Sequence, residues 1–336
     1  MKAVAWNADS TVSVVERPDP TPREGWVRIR VAAAGICGTD MHFFSGGFPA
    51  PAGLVPGHEV SGTIDMCGEG VELAPGTAVA VEPLTGCGAC PNCRRGDYNR
   101  CPERTLFGVT SRGGLAEYMT VPARCVYALP DGLDVKLAAL VEPVAVCVRG
   151  LRLGGVTPGE DVVILGGGTI GLICVALAKA GGARRISVSA RHPQQQALAE
   201  ALGATFVAPD GPSLLAELGA SADRVIETVG GKATTLSDSV ALARPGATIT
   251  MLGVFEGTAR LPALDFSTRE LTLVGSNCYA SAGLHSDFEI AVGWLSGHTG
   301  EMEQLVTHRF SLEEAAQAFS TANDKASGAV KVHIFP

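Results

Sequence analysis

Four cysteines lie close together in the first third of the 336-residue chain. Cys87, Cys90 and Cys93 follow one another at intervals of three residues, and Cys101 comes shortly after them. Four thiolates at such spacing, in a loop rich in glycine and proline, are typical of a closed tetrahedral zinc site that leaves no coordination position for chemistry. An iron–sulfur cluster also uses cysteine thiolates and is an alternative, as are four free thiols. The pattern therefore predicts a structural zinc ion.

A second set of metal-binding residue types is spread along the same part of the chain. Cys37 and His58 supply one thiolate and one imidazole, and Glu59 and Glu142 supply carboxylate oxygens. Three protein ligands plus a water molecule are the usual surroundings of a catalytic zinc ion, which acts as a Lewis acid on an alcohol or a carbonyl. Each of these residues alone has an ordinary structural explanation. The set becomes informative because a dinucleotide-binding motif accompanies it.

That motif is a glycine-rich turn in the second half of the chain. Residues 166–171 have the sequence GGGTIG, which fits G-x-G-x-x-G. The turn directly follows the apolar run 161–165 and begins a predicted helix, and this context distinguishes it from an incidental glycine-rich loop. Gly166 would permit the tight turn, Gly168 would let the backbone approach a diphosphate, and Gly171 would let helix and strand pack closely. The diphosphate would then bind at the helix N-terminus.

The end of the next predicted strand bears on which dinucleotide is bound. An acidic residue there would bind the ribose hydroxyls of NAD, but this chain has Ser189, Ala190 and Arg191. Small side chains leave room for a 2′-phosphate, and a guanidinium pairs with it through charge-assisted hydrogen bonds. We therefore predict that NADP(H) is preferred over NAD(H). In the alternative interpretation Arg191 only stacks on the adenine or is solvated.

Two parts of the chain with different residue patterns must position these residues. Residues 1 to about 145 carry short β-type runs such as 26–31 and 77–81, bounded by glycine and proline, which predicts a compact, mostly β domain. From about residue 155 strands and helices alternate, which predicts an α/β domain with a doubly wound parallel sheet. The run 329–334 predicts a last strand that returns to the first domain. The remaining predicted cofactor-binding residues are Thr169, Ile170, Thr228, Val229, Leu252, Gly253, Ser276 and Asn277.

Composition and charge argue against several classes of protein. Hydrophobic residues make up 46% and charged residues 18%, which suits a well-packed protein rather than a disordered one. A net charge of -8 argues against nucleic acid or an acidic membrane as partner, because both require clustered lysine and arginine. The amino terminus lacks the features of a secretory signal, and the apolar run 170–178 is too short to span a bilayer. We therefore expect a cytoplasmic enzyme.

Taken together, the motifs resemble the zinc-containing medium-chain dehydrogenase/reductase family over essentially the entire chain. The segments that carry the resemblance are ICGTDMH at 36–42, VPGHEVSG at 55–62, the cysteine cluster at 87–101, LVEPVAV at 140–146 and GGGTIG at 166–171. Their joint occurrence in this order is highly specific. The nearest branches are the polyol, threonine and butanediol dehydrogenases.

The resemblance implies a division into domains. A GroES-like, mostly β catalytic domain is expected at 1–148, with the zinc-binding cysteine lobe at 84–104. A Rossmann dinucleotide-binding domain is expected at 149–281, and the segment 282–336 is expected to return to the catalytic domain. A homodimer or homotetramer is also implied.

The resemblance further implies roles for single residues around a catalytic zinc, so that each chain would hold two zinc ions. Cys37 and His58 resemble the zinc ligands. Glu59 resembles a ligand that is held directly or through water, and it is counted with the catalytic residues. Glu142 resembles the additional carboxylate near the metal in the polyol and threonine branches.

Two further residues resemble a proton relay. Thr39 resembles the hydroxyl that takes the substrate proton, and His42 resembles the group that passes it to solvent. The implied reaction interconverts a small secondary alcohol (a polyol, cyclitol or diol) and its ketone by hydride transfer. A threonine-3-dehydrogenase-like enzyme or a simple alcohol dehydrogenase using NAD(H) is the alternative within the family.

The chain also departs from its relatives, and rival functions exist. Ala190 and Arg191 stand where the polyol and butanediol branches usually have an acidic residue, and Arg112 stands where relatives often have one before paired glycines. A zinc- and nucleotide-binding redox sensor without catalysis would not need Thr39 and His42. A metal-free enone reductase would not need Cys37.

Overall fold

The chain divides into two compact units in the computed structural model, which describes residues 1–336. Unit 1 comprises Met1–Ala145 and Tyr279–Pro336, and unit 2 comprises Val146–Cys278. The chain passes from unit 1 to unit 2 after Ala145 and returns after Cys278, in both cases a few residues before the boundary expected from the sequence. The first of these boundaries lies inside a continuous helix, so no change in residue pattern marks it. No helix has the length and apolar character that crossing a lipid bilayer would require.

Unit 1 is built mainly from antiparallel strands in which apolar side chains alternate with polar ones. Its first part consists of β1 (Lys2–Trp6), β2 (Val12–Glu16), β3 (Trp26–Ile36), α1 (Gly38–Phe44), β4 (Glu59–Cys67), β5 (Ala78–Val81), β6 (Leu84–Thr85), α2 (Pro91–Arg94), β7 (Thr105–Leu106), β8 (Tyr118–Pro122) and β9 (Val126–Ala128). Alternate residues of β3, including Val27 and Ile29, are fully buried. This period of two places one face of each strand on the core.

Unit 2 is an α/β domain with a parallel sheet. After α3 (Val141–Gly154), its elements are β10 (Asp161–Leu165), α4 (Thr169–Ala180), β11 (Arg185–Ser189), α5 (Pro193–Leu202), β12 (Phe206–Ala208), α6 (Gly211–Leu218), β13 (Ala222–Glu227), α7 (Thr235–Leu242), β14 (Ala243–Met251), α8 (Ala263–Thr268) and β15 (Thr272–Gly275). The six strands run parallel in the order β12-β11-β10-β13-β14-β15. This is the doubly wound order of dinucleotide-binding sheets, with its reversal next to β10.

The last part of the chain completes unit 1. It contains β16 (Ser281–Ala282), β17 (His285–Ser286), α9 (Asp287–Ser296), α10 (Thr299–Glu303), β18 (Val306–Ser311), α11 (Ala315–Asn323) and β19 (Lys331–Phe335). β19 pairs with β3 in an antiparallel manner and with β18 in a parallel one. A seven-stranded sheet results, in the order β18-β19-β3-β4-β5-β9, with β8 also paired to β3. The C-terminal strand thus lies beside the strand that leads to Cys37.

Candidate active site

Two turns of unit 1 bring the predicted ligands of the catalytic metal together. Cys37 directly follows β3 and is the N-cap of α1, whereas His58 and Glu59 mark the start of β4. Strands β3 and β4 pair so that Gly35 lies opposite Glu59. As a result, the Cys37 Sγ atom, a ring nitrogen of His58 and a carboxylate oxygen of Glu59 all lie within 4.8 Å of one another.

The donor set of this cluster fits a zinc ion. A thiolate and an imidazole are the ligands that zinc prefers, and carboxylate oxygens are also accepted. The ring of His58 contacts Cys37, and it is 4% exposed, so water does not compete for it. Burial lowers the pKa of His58, but the Cys37 thiolate, Asp40 and Glu142 outweigh burial and raise it well above its usual value. A metal ion would displace that proton, so zinc affinity should increase with pH.

Glu59, the third member of the cluster, forms a buried ion pair with Lys331. The Lys331 ammonium donates to both oxygens of Glu59, at 2.6 and 2.7 Å, and to the Ile36 carbonyl at 3.0 Å. Lys331 and Glu59 side chains are 3% and 1% exposed. The sequence carries no signal for this pairing other than a lysine inside an apolar strand, because the two residues are far apart in the chain.

A second carboxylate lies near the cluster without belonging to it. Glu142 is buried at the start of α3, where it interacts electrostatically with His58 and Glu59. Burial raises the pKa of Glu142 to about 7, against the lowering effect of the His58 imidazole. An ion with two positive charges would favour its ionised form, so Glu142 is suited to a place near the metal.

The two residues of the predicted proton relay lie on α1. Thr39 and His42 are three residues apart, so they are neighbours on the helix surface. The Thr39 Oγ1 atom lies 3.8 Å from Cys37 Sγ, and both relay residues are half-buried. The His42 ring packs against Phe48, with ring centroids 5.3 Å apart.

The four clustered cysteines also meet. The sulfur atoms of Cys87, Cys90, Cys93 and Cys101 all lie within 4.8 Å of one another, and none of the ten cysteines forms a disulfide. Backbone N–H groups point at these sulfurs, among them those of Cys87 and Cys90 at 3.4 and 3.3 Å. Such N–H···S bonds stabilise thiolates, so the lobe fits a tetrahedral metal ion with four sulfur ligands.

The glycine-rich turn of unit 2 has the backbone that a diphosphate site requires. Gly166 has a φ of +113°, a conformation that favours glycine. A Cβ atom at Gly171 would lie 1.8 Å from the Gly166 carbonyl oxygen, so a side chain there would separate the turn from α4. Gly168 is the N-cap of α4, and a Cβ built on it would meet no atom within 4 Å. The free N–H groups at the N-terminus of α4 are thus open to an anion.

The other predicted cofactor-binding residues lie at the carboxyl edge of the same sheet. Ser189 ends β11, and Ala190 and Arg191 follow it directly. The Ser189 hydroxyl accepts a hydrogen bond from the Gly166 N–H at 3.0 Å. Because all six strands are parallel, the residues that follow them gather at one edge. The later members of this group are Thr228 and Val229 after β13, Leu252 and Gly253 after β14, and Ser276 and Asn277 after β15.

Comparison with known proteins relates both units to one family. Residues 23–131 match the model of the alcohol dehydrogenase GroES-like domain, and residues 169–297 match that of the zinc-binding dehydrogenase. Galactitol 1-phosphate 5-dehydrogenase of Escherichia coli (strain K12) is 34% identical to the chain over 333 residues, 95% of either protein. The chain belongs to the zinc-containing medium-chain dehydrogenase/reductase family.

Solved structures of this family agree over the whole chain. A zinc-binding dehydrogenase from Sinorhizobium meliloti 1021, bound to NADP, is 34% identical with a TM-score of 0.89, and the match covers 100% of this chain and 99% of that one. The alcohol dehydrogenase rspB from E. coli CFT073, complexed with NADH, is 30% identical with a TM-score of 0.91 at 100% and 99% coverage. The sequence-based expectations of family, of fold class and of a dehydrogenase are therefore confirmed.

Three buried residues that support the site of this dehydrogenase were not predicted. Lys331 binds Glu59, as described above. Asp40 accepts a hydrogen bond from the Cys37 N–H at 2.9 Å and fixes the first turn of α1. In unit 2, Glu227 accepts hydrogen bonds from the N–H groups of Val229 and Gly230, and so holds the turn after β13. An acidic residue at the end of an apolar strand is the one sequence signal that could have identified Glu227.

A buried glutamate connects the cysteine lobe of this dehydrogenase to the sheet. Glu82 accepts hydrogen bonds from the hydroxyl groups of Tyr98, which belongs to the lobe, and of Tyr127, the latter at 2.9 Å. The Tyr127 hydroxyl also contacts that of Ser286 at 3.0 Å. Burial raises the pKa of Glu82 to about 7, although both tyrosine hydrogen bonds lower it. The folded protein therefore keeps this carboxyl group neutral up to a higher pH than the unfolded chain does.

This preference predicts a pH-dependent stability. Because the folded-state pKa of about 7 exceeds the ordinary value of 4.5, the stabilising contribution of Glu82 is complete below about pH 4.5 and is lost as the pH rises through 7. Between pH 5 and pH 8.5, the free energy of unfolding of the wild-type protein should fall by about 3 kcal/mol through the ionisation of Glu82. Glu82→Gln should not show this decrease. Urea unfolding of both proteins at the two pH values measures this, and identical pH dependence would contradict it.

Proposed function

We propose that this dehydrogenase interconverts a small polyhydroxylated secondary alcohol and its ketone, with a zinc ion at Cys37 and His58 and with NADP(H) as the hydride carrier. The observation that carries the proposal is the convergence of Cys37, His58 and Glu59 in a buried cluster. A non-catalytic zinc protein would need only the four-cysteine lobe. A redox sensor or a metal-free reductase leaves this second cluster without a purpose.

The donor set assigns the chemistry of the metal. Cys37 and His58 would hold a zinc ion, which when bound makes a substrate hydroxyl more acidic and polarises a ketone. The buried surroundings exclude competing water from the ligands, which strengthens each electrostatic interaction. Glu142 would contribute negative charge close by. The cysteine lobe would hold a second zinc that takes no part in the reaction.

The residues of α1 would carry the proton. We assign to the Thr39 hydroxyl the acceptance of the substrate proton, and to His42 its release to solvent. Both are half-buried neighbours on one helix face, and this adjacency supports a relay between them. The hydride of the substrate carbon would be transferred to or from NADP(H), which is the chemistry that this cofactor would supply when bound.

The absence of an acidic residue after β11 supports NADP(H). Ala190 is 1% exposed, whereas Arg191 is exposed. Hydrogen bonds from Ser213 lower the pKa of Asp210, and the charge of the Arg191 guanidinium lowers it further. An exposed guanidinium directly after β11 supports the assignment, because it can pair with a 2′-phosphate through charge-assisted hydrogen bonds. One solved relative holds NADP and another holds NADH, so relatives of similar identity differ in this respect.

Arg191→Ala tests the cofactor assignment. We expect kcat/KM for NADP to fall about 10- to 100-fold, because one or two charge-assisted hydrogen bonds to the phosphate are lost. The value for NAD should change less than about threefold. Arg184→Ala is a matched control, since this exposed arginine pairs with Asp161 at the opposite edge of the sheet. A wild-type enzyme that prefers NAD, or equal losses with both cofactors, would refute the assignment.

A substrate panel tests the proposed reaction itself. Polyols, cyclitols, vicinal diols, threonine and simple alcohols are offered with each cofactor, and the corresponding ketones with the reduced forms, while absorbance at 340 nm is followed. Anionic polyols belong in the panel because a relative acts on galactitol 1-phosphate and because Arg112 is exposed. Two zinc ions per chain and oxidation of polyols are expected; threonine or simple alcohols as the best substrates would favour the alternative assignment.

We further propose a cytoplasmic homodimer or homotetramer.

A further inference from the structure

A cavity beside the cysteine lobe is lined by basic and hydroxyl groups and by no carboxylate. Its volume is about 340 Å³, and all of its residues lie in unit 1. None of them belongs to either metal cluster. The polar side chains that line it are those of Arg23, Thr85, Thr105, Ser111 and Arg124. Positive charge without negative charge in one cavity favours an anion as its ligand.

Arg23 is held in place by aromatic rings rather than by an acid. Its guanidinium carbon lies 4.0 Å from the centroid of the Trp26 ring, which packs edge-on against Phe107 with ring centroids 5.8 Å apart. The Arg23 side chain forms no ion pair and no hydrogen bond within the protein. Stacking uses the face of the guanidinium plane, so the N–H groups at its edges stay available to an anion.

Arg124 lines the cavity from a second element, the 3-10 turn Ala123–Cys125. Its Nη2 atom donates to the Thr85 hydroxyl at 2.7 Å and to the Gly86 carbonyl at 3.3 Å, which fixes the side chain. Glu82 interacts with Arg124 through its charge, but the Glu82 oxygens accept hydrogen bonds from two tyrosines. The donors on Nε and Nη1 of Arg124 are therefore without a partner.

Two hydroxyl groups add neutral donors to the lining. Thr105 pairs with Thr85 across strands β6 and β7, and Ser111 forms an isolated bridge with Phe107. Neither the Thr105 nor the Ser111 hydroxyl has a hydrogen-bond partner within the protein. Arginine together with serine or threonine hydroxyls is the usual set of side-chain donors to phosphate oxygens.

We propose that this cavity binds a phosphate group, either as free phosphate or as part of a small phosphorylated molecule. Arg23 and Arg124 are exposed residues, so the anion reaches them from solvent and accepts charge-assisted hydrogen bonds from both. The cavity volume also leaves room for a short carbon chain on the phosphate. Because β6 and β7 flank the lobe, the ligand connects both strands to the residues that precede β3. The site lies apart from the catalytic cluster, so its test does not depend on the proposed function.

The fluorine NMR signal of Trp26 measures binding at this cavity. The chain has three tryptophans, so labelling with 5-fluorotryptophan gives three signals, and Trp26→Phe assigns the one at the cavity. Inorganic phosphate and glycerol 1-phosphate are titrated at pH 8, with sodium chloride of equal ionic strength and glycerol as controls. We expect a saturable shift of the Trp26 signal with a Kd of about 1 mM or below. The signal of the buried Trp6 should stay in place.

Variants that remove single charges locate the anion. Arg23→Gln and Arg124→Gln keep a planar amide donor without the positive charge, and each should raise the Kd about 10-fold or more. Arg260→Gln removes the same charge from an exposed arginine of unit 2 and should leave the Kd unchanged. Arg23 makes no bond that folding requires, so its variant decides the matter even if Arg124→Gln does not fold.

The comparison of the two ligands identifies the source of the phosphate. Binding of glycerol 1-phosphate that is at least about threefold tighter than that of inorganic phosphate indicates a phosphorylated molecule, and equal or weaker binding indicates free phosphate; both support the site. A Trp26 signal that responds equally to chloride would overturn the proposal. So would a saturable shift that persists in the Arg23→Gln/Arg124→Gln double variant, or an equal loss of affinity in Arg260→Gln.

Discussion

Cys37→Ser should lower kcat/KM by about 1,000-fold or more, because the Lewis acid contributes several kcal/mol to the transition state and each 1.4 kcal/mol corresponds to a factor of ten. The hydroxyl of serine is a poor zinc ligand in comparison with a thiolate, so the catalytic ion should be lost. Zinc content should fall from two ions per chain to one. Metal analysis and steady-state kinetics on the same preparation measure both effects.

The matched control for this variant is Cys67→Ser. Cys67 is a half-buried cysteine of the same unit whose Sγ atom contacts the Leu73 carbonyl at 3.1 Å, outside both metal clusters. It should keep two zinc ions and its turnover. Full activity of Cys37→Ser with a single zinc ion would show that the cluster is not catalytic.

Loss of the lobe zinc should have the largest effect on stability. Cys101 is fully buried, and Cys101→Ala removes one of four sulfur ligands from a loop whose own helix has only four residues. A structural zinc ion contributes most of the folding free energy of such a segment. We expect a loss on the order of 4 kcal/mol, which corresponds to a decrease in Tm of about 10 °C for a domain of this size.

Calorimetry with metal analysis measures the lobe effect, and Cys125→Ala is its control. Cys125 is a buried thiol that belongs to neither metal cluster, so its loss should cost about 1 kcal/mol and leave both zinc ions in place. Below its lowered Tm, Cys101→Ala should retain most of its turnover, since the lobe metal has no open position. A variant that retains two zinc ions and an unchanged Tm would contradict the assignment of the lobe.

Much of the nucleotide-binding unit was predictable because its signals are local. The turn at 166–171, the strand before it and the helix after it are adjacent in the chain, and each follows from its own residue types. The parallel order of the strands then places the residues after them at one edge. Strand β18 was not predicted, because its sequence VTHRFS alternates only weakly and lies between helices.

The sequence by itself determined which chemistry is available: thiolates and imidazole for zinc, glycines for a diphosphate, and no acid after β11 to bind a ribose. Only the tertiary structure decided that Cys37, His58 and Glu59 meet, and that Lys331 binds both oxygens of Glu59. The physical reason is the register of β19, β3 and β4. Backbone hydrogen bonds between strands distant in the chain set that register, and no local pattern of residues encodes which side chains it will place opposite one another.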